Sequence, residues 1–409
     1  MGGNTPGVKV TSFVSELEER LAAIRAQDLF RELRRVDSPQ GPRTRIDDRD
    51  LLNFSSNDYL GLANHPRLKE AALKAVERFG CGSGASRLIC GSLAPHHELE
   101  SALAAFKQIE AALSFSSGYA AANGAICSLL GREDIIVLDK LVHACIIDAA
   151  RLSGAKLRVF AHNDLSALEE ILRWADQQAA APAAARRRVL IVTESVFSMD
   201  GDVAPLREIV ELKERFGAWL MIDDAHATGI FGENGRGLAE QLGLTGRIEM
   251  QMGTLGKALG SAGGYICGPK VLIDYLVNRA RSFIFSTAPV PAAAAAAQAG
   301  VELVQSAEGR ARAAQLWAGI ERVRGFLERA GWELPATKSA TLPLLIGGEA
   351  EAVAAASALR EAGVLIPAIR YPTVARGAAR LRLTLSAAHS AADLDALEAA
   401  LMKTFPNPP

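Results

Sequence analysis

Short runs of apolar and β-branched residues alternate with helical stretches through the middle of the chain, and this alternation is the strongest constraint on its fold. Four such runs end in polar residues: 135–138, 189–192, 219–222 and 250–252. Stretches with helical periodicity lie between them, at 164–176 and 206–216. Strands that alternate with helices favour a mostly parallel sheet covered by helices on both faces. The sequence therefore predicts an α/β fold.

The chain of 409 residues is long enough for more than one domain. Apolar side chains recur at a roughly helical spacing over residues 12–35, while a long alanine-rich helical region follows Pro291 and precedes further strand and helix patterns. We predict three parts: an N-terminal helical arm over residues 1–50, a large α/β domain over 51–290 and a smaller C-terminal α+β domain over 291–409. The low-complexity segment 177–188 is predicted to be a surface insertion.

Charge and cysteine usage exclude several classes of protein. The 45 basic and 46 acidic residues give a net charge of −1, which offers no basic surface for nucleic acid or an anionic membrane. The charge-free stretches 111–131 and 282–301 contain serine, asparagine or proline, so they are not predicted to span a membrane. Five cysteines without a Cys-x-x-Cys pair argue against disulfides or structural zinc. A cytoplasmic enzyme is the expectation.

Polar residues follow three of the predicted strands at the edge where an α/β sheet collects its ligands. They include Glu194 and Ser198 after the strand at 189–192, Asp223 and His226 after 219–222, and Thr254 and Lys257 after 250–252. Because the carboxyl ends of parallel strands meet at one edge, an acid, an imidazole and an amine are expected to converge there.

Asp223, His226 and Lys257 have the chemistry that a pyridoxal phosphate site needs. A lysine at the end of a packed strand can have its pKa lowered by desolvation, which makes it a nucleophile and a base that can form a Schiff base with the aldehyde. A carboxylate can keep the pyridine nitrogen protonated, so that the ring accepts electrons. These three residues, together with His143, are the predicted catalytic residues.

Two further features suit the other parts of this cofactor. The glycine-containing segment 116–123 leads into helix-forming residues, so the amides near Gly118 and Tyr119 could bind a phosphate group. His143 follows the strand at 135–138 and could offer a flat face to the ring.

Other interpretations of the same residues remain open at this stage. Asp223 and His226 could bind a metal ion in a hydrolase, although Lys257 would then have no role. A catalytically silent binding protein with an enzyme's architecture is also possible. Asp224 could cap a helix, and His143 could be a hydrogen-bonded structural residue. A structural role is favoured for His65, His96, His97 and His162, and His389 stays undecided.

Several runs, in order, resemble the α-oxoamine synthases among fold-type-I pyridoxal phosphate enzymes. The resemblance covers about residues 27–400 and rests on five segments: 53–62 (NFSSNDYLGL), 82–88 (GSGASRL), 223–229 (DDAHATG), 254–257 (TLGK) and 380–389 (RLRLTLSAAH). It implies a fold-type-I transferase with a large, mostly parallel-sheet domain and a smaller C-terminal α+β domain.

The resemblance also implies roles around the cofactor ring. Lys257 would be the Schiff-base lysine, Asp223 would pair with the pyridine nitrogen, and His226 would contact the ring hydroxyl. His143 would stack on the ring, and Glu194 would line the pocket.

The phosphate would be held by the amides of Gly118 and Tyr119 together with Thr254, according to the same resemblance. Ser286 and Thr287 would reach it from a partner subunit, so a homodimer is implied.

Substrate-binding roles follow in the same way. Arg382 and Asn57 would hold the carboxylate of the amino acid, Ser198 would line the pocket, and Arg31 would lie near the acyl substrate.

Within the family, residues 368–374 and the run from Arg380 most resemble members that condense L-alanine with a pimeloyl thioester of coenzyme A or acyl carrier protein in biotin biosynthesis. Members that use glycine with an acetyl thioester, or serine with a palmitoyl thioester, remain alternatives. Cys145 stands where the family usually has serine, and Ala375 and Arg376 depart from the usual Val-Pro-x-Gly pattern. Both departures concern the pocket wall, so they leave the substrate less defined than the reaction.

Overall fold

The structure is a computed structural model that describes residues 8–178, 187–336 and 338–407. Most of the predicted insertion at 177–188 lies outside these residues. The first described element is helix α1 (Val8–Arg25), which is shorter than the predicted arm helix and ends ten residues before its predicted end at residue 35. The apolar side chains Phe13, Leu17, Leu21 and Ile24 of α1 are exposed.

A seven-stranded sheet forms the centre of the molecule, in the spatial order β3-β9-β8-β7-β6-β4-β5. Its strands are β3 (Ala111–Phe115), β4 (Ile135–Asp139), β5 (Lys156–Phe160), β6 (Val189–Glu194), β7 (Trp219–Asp223), β8 (Met250–Thr254) and β9 (Gly264–Gly268). All neighbouring pairs from β8 to β5 are parallel, and only β9 runs antiparallel to its neighbours. The predicted mostly parallel sheet is confirmed.

Helices cover both faces of this sheet. They are α2 (Pro66–Phe79), α3 (Ala94–Lys107), α4 (Gly118–Leu129), α5 (Ala144–Ser153), α6 (Leu165–Gln178), α7 (Leu206–Phe216), α8 (Leu238–Gln241), α9 (Lys270–Arg279) and α10 (Arg281–Ile284). Along β4 the side chains of Ile135 and Val137 join one hydrophobic cluster, whereas Ile136 and Leu138 join another. Because successive side chains of a strand point to opposite faces, both faces of the sheet are buried.

The C-terminal part contains helices, one small sheet and one strand of a second small sheet. Its elements are α11 (Pro291–Val304), α12 (Ala307–Arg329), β10 (Thr341–Gly347), α13 (Glu349–Glu361), β11 (Val364–Leu365), β12 (Ala368–Ile369), β13 (Ala379–Thr384) and α14 (Ala391–Thr404). One antiparallel sheet has the order β10-β13-β12. The predicted helical region after Pro291 is two helices, because the chain breaks at Gln305 and Ser306.

Elements from the two ends of the chain also pack together. Strands β1 (Arg43–Ile46) and β2 (Arg49–Asn53) form a hairpin, and β2 pairs in parallel with β11. Helix α11 packs on α2 and α3 of the larger part. The residue boundaries of the three predicted parts stay a prediction. Within the described residues, no helix has the length and apolar character needed to cross a bilayer.

Candidate active site

Three neighbouring parallel strands bring the predicted polar residues to one edge of the sheet. Glu194 ends β6, Asp223 ends β7 and Thr254 ends β8. Glu194 pairs with Asp223 in register, and Asp223 pairs with Met252. The strands therefore place both carboxylates side by side at their carboxyl ends. Lys257 follows three residues after Thr254, at the end of the neighbouring strand.

A row of hydrogen bonds connects Lys257 to Asn57. Lys257 Nζ lies 2.7 Å from His226 Nε2. The other ring nitrogen, His226 Nδ1, lies 2.5 Å from the hydroxyl of Tyr59, which lies 3.2 Å from Asn57 Oδ1. Burial lowers the pKa of His226 well below its usual value, and the charges of Lys257 and Arg382 lower it further. The imidazole is therefore neutral and carries one proton.

The charge of Lys257 decides which nitrogen of His226 carries that proton. An ammonium at Lys257 donates to Nε2, so the proton of His226 sits on Nδ1 and is donated to the Tyr59 oxygen. The Tyr59 hydroxyl then donates to Asn57. A neutral amine instead accepts from Nε2, and Tyr59 donates to Nδ1. Both arrangements give each ring nitrogen of His226 a hydrogen bond. The hydrogen bonds can therefore reverse direction when Lys257 gains or loses a proton.

Lys257 has the electrostatic environment of a reactive amine. Burial lowers its pKa, and the carboxylates of Asp223 and Glu194 act in the opposite direction. The balance lies below the ordinary value of lysine, which increases the share of the neutral amine at a given pH. A neutral amine is both a nucleophile and a base.

The two carboxyl groups beside Lys257 differ in their partners. Burial raises the pKa of Asp223, while Lys257 lowers it and Asp223 Oδ1 accepts the Ala225 N–H over 3.0 Å. Burial and the charge of Asp223 hold the pKa of Glu194 well above its ordinary value. Glu194 Oε1 is buried and has no hydrogen-bond partner among the described residues. A buried polar atom of this kind is expected to have a partner, which a polar group bound at this site could supply.

The N-terminus of α4 lies beside the end of β8. Ser117 caps this helix by accepting the Ala120 N–H, so the amides of Gly118 and Tyr119 in its first turn have no intrahelical acceptor. Gly264 pairs with Thr254, and a Cβ on Gly264 would lie only 2.5 Å from the Gly118 nitrogen. Glycine at 264 therefore lets the helix terminus approach the strand. The partial positive charge there favours an anion such as phosphate.

Arg382 on β13 reaches the same edge from the C-terminal sheet. Its buried guanidinium donates to the Ser198 carbonyl over 2.6 Å and to Asn57 Oδ1 over 3.0 Å. Further bonds run to the hydroxyls of Thr384 and Thr341. Four acceptors on separate segments fix the planar fork in one orientation.

His143 is exposed and precedes α5. Its Nδ1 accepts the Cys145 N–H over 3.2 Å and lies 3.1 Å from Cys145 Sγ, so the ring caps the helix. The surrounding protein atoms lower the pKa of His143, the carboxylate of Asp223 raises it, and the charge of Lys257 lowers it. The charges of Asp223 and Lys257 thus both act on the His143 ring.

Three predicted site residues lie outside this cluster in the single chain. Thr287 is exposed and forms a β-bridge with Ser86, and Ser286 donates to the Thr287 carbonyl. Arg31 is exposed beside a surface cavity of about 350 Å³ whose walls also include Phe30 and Tyr371.

The family follows from comparison with known proteins. The model for "aminotransferase class I and II" matches residues 49–401. The 8-amino-7-oxononanoate synthase of Geotalea daltonii is 49% identical over 92% of this chain and 94% of its own, and that of Geobacter sulfurreducens is 46% identical over 96% and 97%. The chain belongs to the 8-amino-7-oxononanoate synthase family. The predicted family is confirmed.

Solved structures of this enzyme class share the fold. Serine palmitoyltransferase of Sphingomonas wittichii aligns with a TM-score of 0.86 at 30% identity, covering 99% of this chain and 100% of that one. The 8-amino-7-oxononanoate synthase of Francisella tularensis aligns with a TM-score of 0.72 at 27% identity, covering 87% and 96%. The predicted fold-type-I transferase is confirmed.

Two interpretations left open by the sequence are resolved by contacts in this family member. Asp224 is fully buried and forms an ion pair with Lys107 over 2.6 Å, so it is structural. His389 stacks on Phe54 with ring centroids 4.1 Å apart, and its Nε2 lies 3.0 Å from the Asn53 carbonyl. His389 is therefore a core residue.

The metal hydrolase alternative is not favoured. The described residues contain no group of three or more His, Cys, Asp or Glu side chains that could hold one ion. Both ring nitrogens of His226 are already engaged, by Lys257 and Tyr59.

Sequence reasoning did not assign Tyr59, Thr341 or Thr384 to the site. Tyr59 completes the hydrogen bonds of His226, and the two threonines hold Arg382. Tyr59 does lie in the segment 53–62 that carries the family resemblance, which was the only available signal. Thr384 lies in the segment 380–389, which carries the same resemblance, whereas nothing in the local sequence distinguishes Thr341 on β10 from other strand residues.

Proposed function

We propose that this protein is a pyridoxal phosphate enzyme that joins L-alanine to a pimeloyl thioester and forms 8-amino-7-oxononanoate. The reaction releases carbon dioxide from the carboxyl group of alanine and a free thiol from the thioester. The observation that carries the proposal is Lys257, a partly buried amine with lowered pKa, 2.7 Å from His226 and beside two carboxyl groups. Relatives named 8-amino-7-oxononanoate synthase at 49% and 46% identity support the same reaction.

The residues fit pyridoxal phosphate. When bound, this cofactor supplies an aldehyde that reacts with primary amines and a ring that withdraws electrons from an adjacent bond. Glu194 Oε1 is a buried acceptor without a partner, and the first amides of α4 are donors without an intrahelical acceptor. A polar ring with a phosphate group would satisfy both. The serine palmitoyltransferase structure from S. paucimobilis, with a TM-score of 0.87 and 28% identity, is named with bound PLP.

Lys257 would be the attachment point and the proton carrier. Its lowered pKa favours the neutral amine, which can take a proton from the Cα atom of alanine and later return one. His226 holds the amine in place through Nε2 and can adjust its own tautomer through Tyr59.

Other groups of the chain would hold the cofactor. Asp223 would pair with the ring nitrogen, His143 would cover the ring face, and Glu194 and Ser198 would line the pocket. The phosphate group would be bound by the amides of Gly118 and Tyr119 with Thr254. These assignments are supported by the buried carboxylate of Asp223 at the strand end and by the helix terminus beside β8.

Arg382 would bind the carboxylate of alanine, assisted by Asn57. Four of its five N–H groups are donated within the described part of the chain, so one N–H on Nη2 is free for a carboxylate oxygen, and a second bond to the carboxylate would replace the bond to Asn57. Such a contact would fix the orientation of the amino acid as well as its position. The buried contacts that hold the guanidinium give it this fixed orientation before alanine binds.

A homodimer is part of the proposal. Ser286 and Thr287 would reach the phosphate site of the partner subunit. Large apolar side chains are exposed on the two loops joined by the bridge between Ser86 and Thr287: Leu88, Ile89, Phe285 and Val290. An exposed apolar patch of this kind is typical of a protein interface.

The acyl substrate is proposed to approach Arg31. The apolar walls of the adjacent cavity, including Leu21, Leu29 and Phe30, suit the methylene chain of a pimeloyl group. Coenzyme A and acyl carrier protein are both retained as acyl carriers, and a cytoplasmic location stays a prediction.

The experiment that tests this proposal is a turnover assay on purified protein loaded with pyridoxal phosphate. Alanine, glycine and serine are each supplied with the coenzyme A thioesters of pimelate, acetate and palmitate, and the product is identified by mass spectrometry. We expect 8-amino-7-oxononanoate from alanine with the pimeloyl thioester. Turnover of glycine with the acetyl thioester, or serine with the palmitoyl thioester, but none with alanine would contradict the proposal.

A further inference from the structure

Three charged residues form a cluster at the carboxyl ends of β5, β4 and β6. His162 follows β5, and its Nδ1 lies 3.0 Å from Asp139 Oδ1 at the end of β4. Its Nε2 lies 2.7 Å from Asp202 Oδ2, in the loop after β6. Both ring nitrogens thus face carboxylate oxygens. Asn163 Nδ2 also lies 3.3 Å from Nε2, but it makes a shorter bond of 2.9 Å to the same Asp202 Oδ2. The imidazolium form has a donor on each nitrogen and therefore satisfies both carboxylates at once.

The charge of His162 agrees with its surroundings. Burial lowers its pKa, but the hydrogen bonds and charges of Asp139 and Asp202 outweigh burial and raise the pKa to about 10. The ring also packs edge-on against Phe197, with centroids 4.4 Å apart. A charged ring held by two carboxylates and one aromatic side chain has little freedom to turn.

Asp139 connects this cluster to the turn that carries His143. Its Oδ1 accepts the Leu141 N–H over 2.8 Å as well as the contact from His162. Its Oδ2 accepts the Asn163 N–H over 2.9 Å. Leu141 begins the short turn that ends in His143 at the start of α5. The position of Asp139 therefore sets the start of this turn.

Asp202 connects the cluster to the loop that holds Arg382. Its carbonyl accepts the Phe197 N–H over 2.9 Å, which closes the loop on itself. Ser198, which follows Phe197, accepts the Arg382 Nε–H at its carbonyl over 2.6 Å. Asp202 therefore anchors one side of a loop whose other side fixes the guanidinium.

We propose that His162 is a positioning residue that joins the turn carrying His143 to the loop whose Ser198 carbonyl holds Arg382. It contacts no reacting group itself. The importance of this turn and this loop rests on the proposed function, in which His143 covers the cofactor ring and Arg382 binds the carboxylate of alanine. The charged ring of His162 thus helps to set the distance between His143 and Arg382.

The test compares His162→Gln and Asp202→Asn with the wild-type holoenzyme. H162Q keeps a polar side chain but loses the charge and has one donor nitrogen in place of two, while D202N keeps an acceptor for His162. We expect the KM for alanine to rise about tenfold in H162Q and less in D202N, because a small misplacement of a binding group is costly. The KM for the pimeloyl thioester and the unfolding midpoint should change little.

A matched control is His65→Gln, since His65 also pairs with a carboxylate, Glu308 Oε1, over 3.0 Å but at the start of α2. H65Q should keep the wild-type KM for alanine.

Two readouts do not depend on turnover. The first is the Kd of the apoprotein for pyridoxal phosphate, which H162Q should weaken several-fold and H65Q should leave unchanged. The second is nitrogen NMR of labelled histidines at pH 8, where His162 should carry protons on both ring nitrogens and its signals should vanish in H162Q.

The outcomes separate this inference from the proposed function. Wild-type values of alanine KM and cofactor Kd in H162Q and D202N, or a neutral His162 at pH 8, would overturn the positioning role. A wild-type enzyme that does not turn over alanine would refute the function, while Kd and NMR still decide the role of His162. If H162Q does not fold, D202N decides by the same kinetic and binding readouts.

Discussion

The guanidinium of Arg382 donates a hydrogen bond to Asn57 over 3.0 Å, although 325 positions separate the two residues in the chain. Asn57 belongs to the segment after β2, and Arg382 belongs to β13. The hydrogen bond therefore couples the N-terminal and C-terminal segments at the point where the amino acid is proposed to bind.

Replacement of Arg382 by lysine should weaken alanine binding selectively. Lysine carries one ammonium group with three donors, so it cannot keep the contacts to Ser198 and the two threonines and also bind a carboxylate. We expect R382K to raise the KM for alanine about 10-fold to 100-fold, the range that the loss of one charged hydrogen bond gives. The KM for the pimeloyl thioester should stay near the wild-type value. Steady-state kinetics with each substrate varied in turn will measure both constants.

The control for this substitution is Arg322→Lys, since Arg322 forms ion pairs with Asp395 and Glu398 near the surface. R322K should keep both constants. An unchanged alanine KM in R382K would show that another group binds the carboxylate.

Glu194 should make the stability of the apoprotein pH-dependent. Burial and Asp223 raise its pKa above the ordinary value of 4.5, so the folded protein holds this proton more tightly than the unfolded chain does. The stabilisation is complete below pH 4.5 and is lost as the pH rises towards the raised pKa. E194Q removes this proton linkage. The unfolding free energy of the wild type relative to E194Q should fall with pH above 4.5, by at most about 1.4 kcal/mol per pH unit.

Urea unfolding of both apoproteins from pH 5 upwards measures this difference. Glu214→Gln serves as the control, because the exposed Glu214 has a pKa lowered by its hydrogen bond to Arg247 and titrates below this range. A constant difference between wild type and E194Q across the range would refute a raised pKa at Glu194.

Lys107 should stabilise the folded protein through its contacts with the segment 224–236. Its buried ammonium contacts Asp224 over 2.6 Å and also donates to Thr228 and the Arg236 carbonyl. K107M leaves the carboxylate of Asp224 buried without a counter-charge, which should cost about 3–5 kcal/mol of unfolding free energy. Chemical denaturation of the apoprotein will measure the loss.

The double variant K107M/D224N removes both charges and should recover a large part of this loss. Independent, additive effects of K107M and D224N would contradict a direct ion pair as the source of the stabilisation.

Mixed dimers test whether each active site uses residues of both subunits. K257A lacks the lysine, and S286A/T287A lacks the two hydroxyls proposed to come from the partner. A heterodimer of these variants contains two different sites. One site has Lys257 and both hydroxyls, and the other lacks Lys257 and both hydroxyls. Random mixing should therefore restore about a quarter of the wild-type activity, although each variant alone is nearly inactive.

Subunit exchange is verified by light scattering and by isolation of differently tagged chains before the assay. Full activity of S286A/T287A alone, or no gain after verified exchange, would contradict a shared site.

The fold could be predicted where the local sequence carries a strong signal. Strands β4, β6, β7 and β8 begin where the apolar runs begin, because these runs are rich in residues that pack well in a buried sheet. Strands β3 and β9 were not predicted, since alanine, glycine and serine in Ala111–Phe115 and Gly264–Gly268 give little strand propensity. Their pairing with each other and with β8 decides their structure.

The site could be predicted in part for a similar reason. Glu194, Asp223 and Lys257 follow recognisable strands, so their convergence follows from the parallel sheet. A structural role was favoured for His162 and considered for Asp224, but their partners could not be predicted because they are distant in the chain: Lys107 is 117 positions from Asp224, and Asp202 is 40 positions from His162. Contacts at such separations depend on the folded packing and leave no local pattern.

The central claim is that Lys257 holds pyridoxal phosphate, and reduction with borohydride followed by peptide mass spectrometry tests it most directly. The holoenzyme is reduced, digested and mapped, with K257A treated in parallel. We predict one phosphopyridoxyl group per chain on the peptide that contains Lys257, and none at any lysine of K257A. Labelling of another lysine in the wild type, or an unlabelled Lys257 in protein that holds the cofactor, would contradict the account.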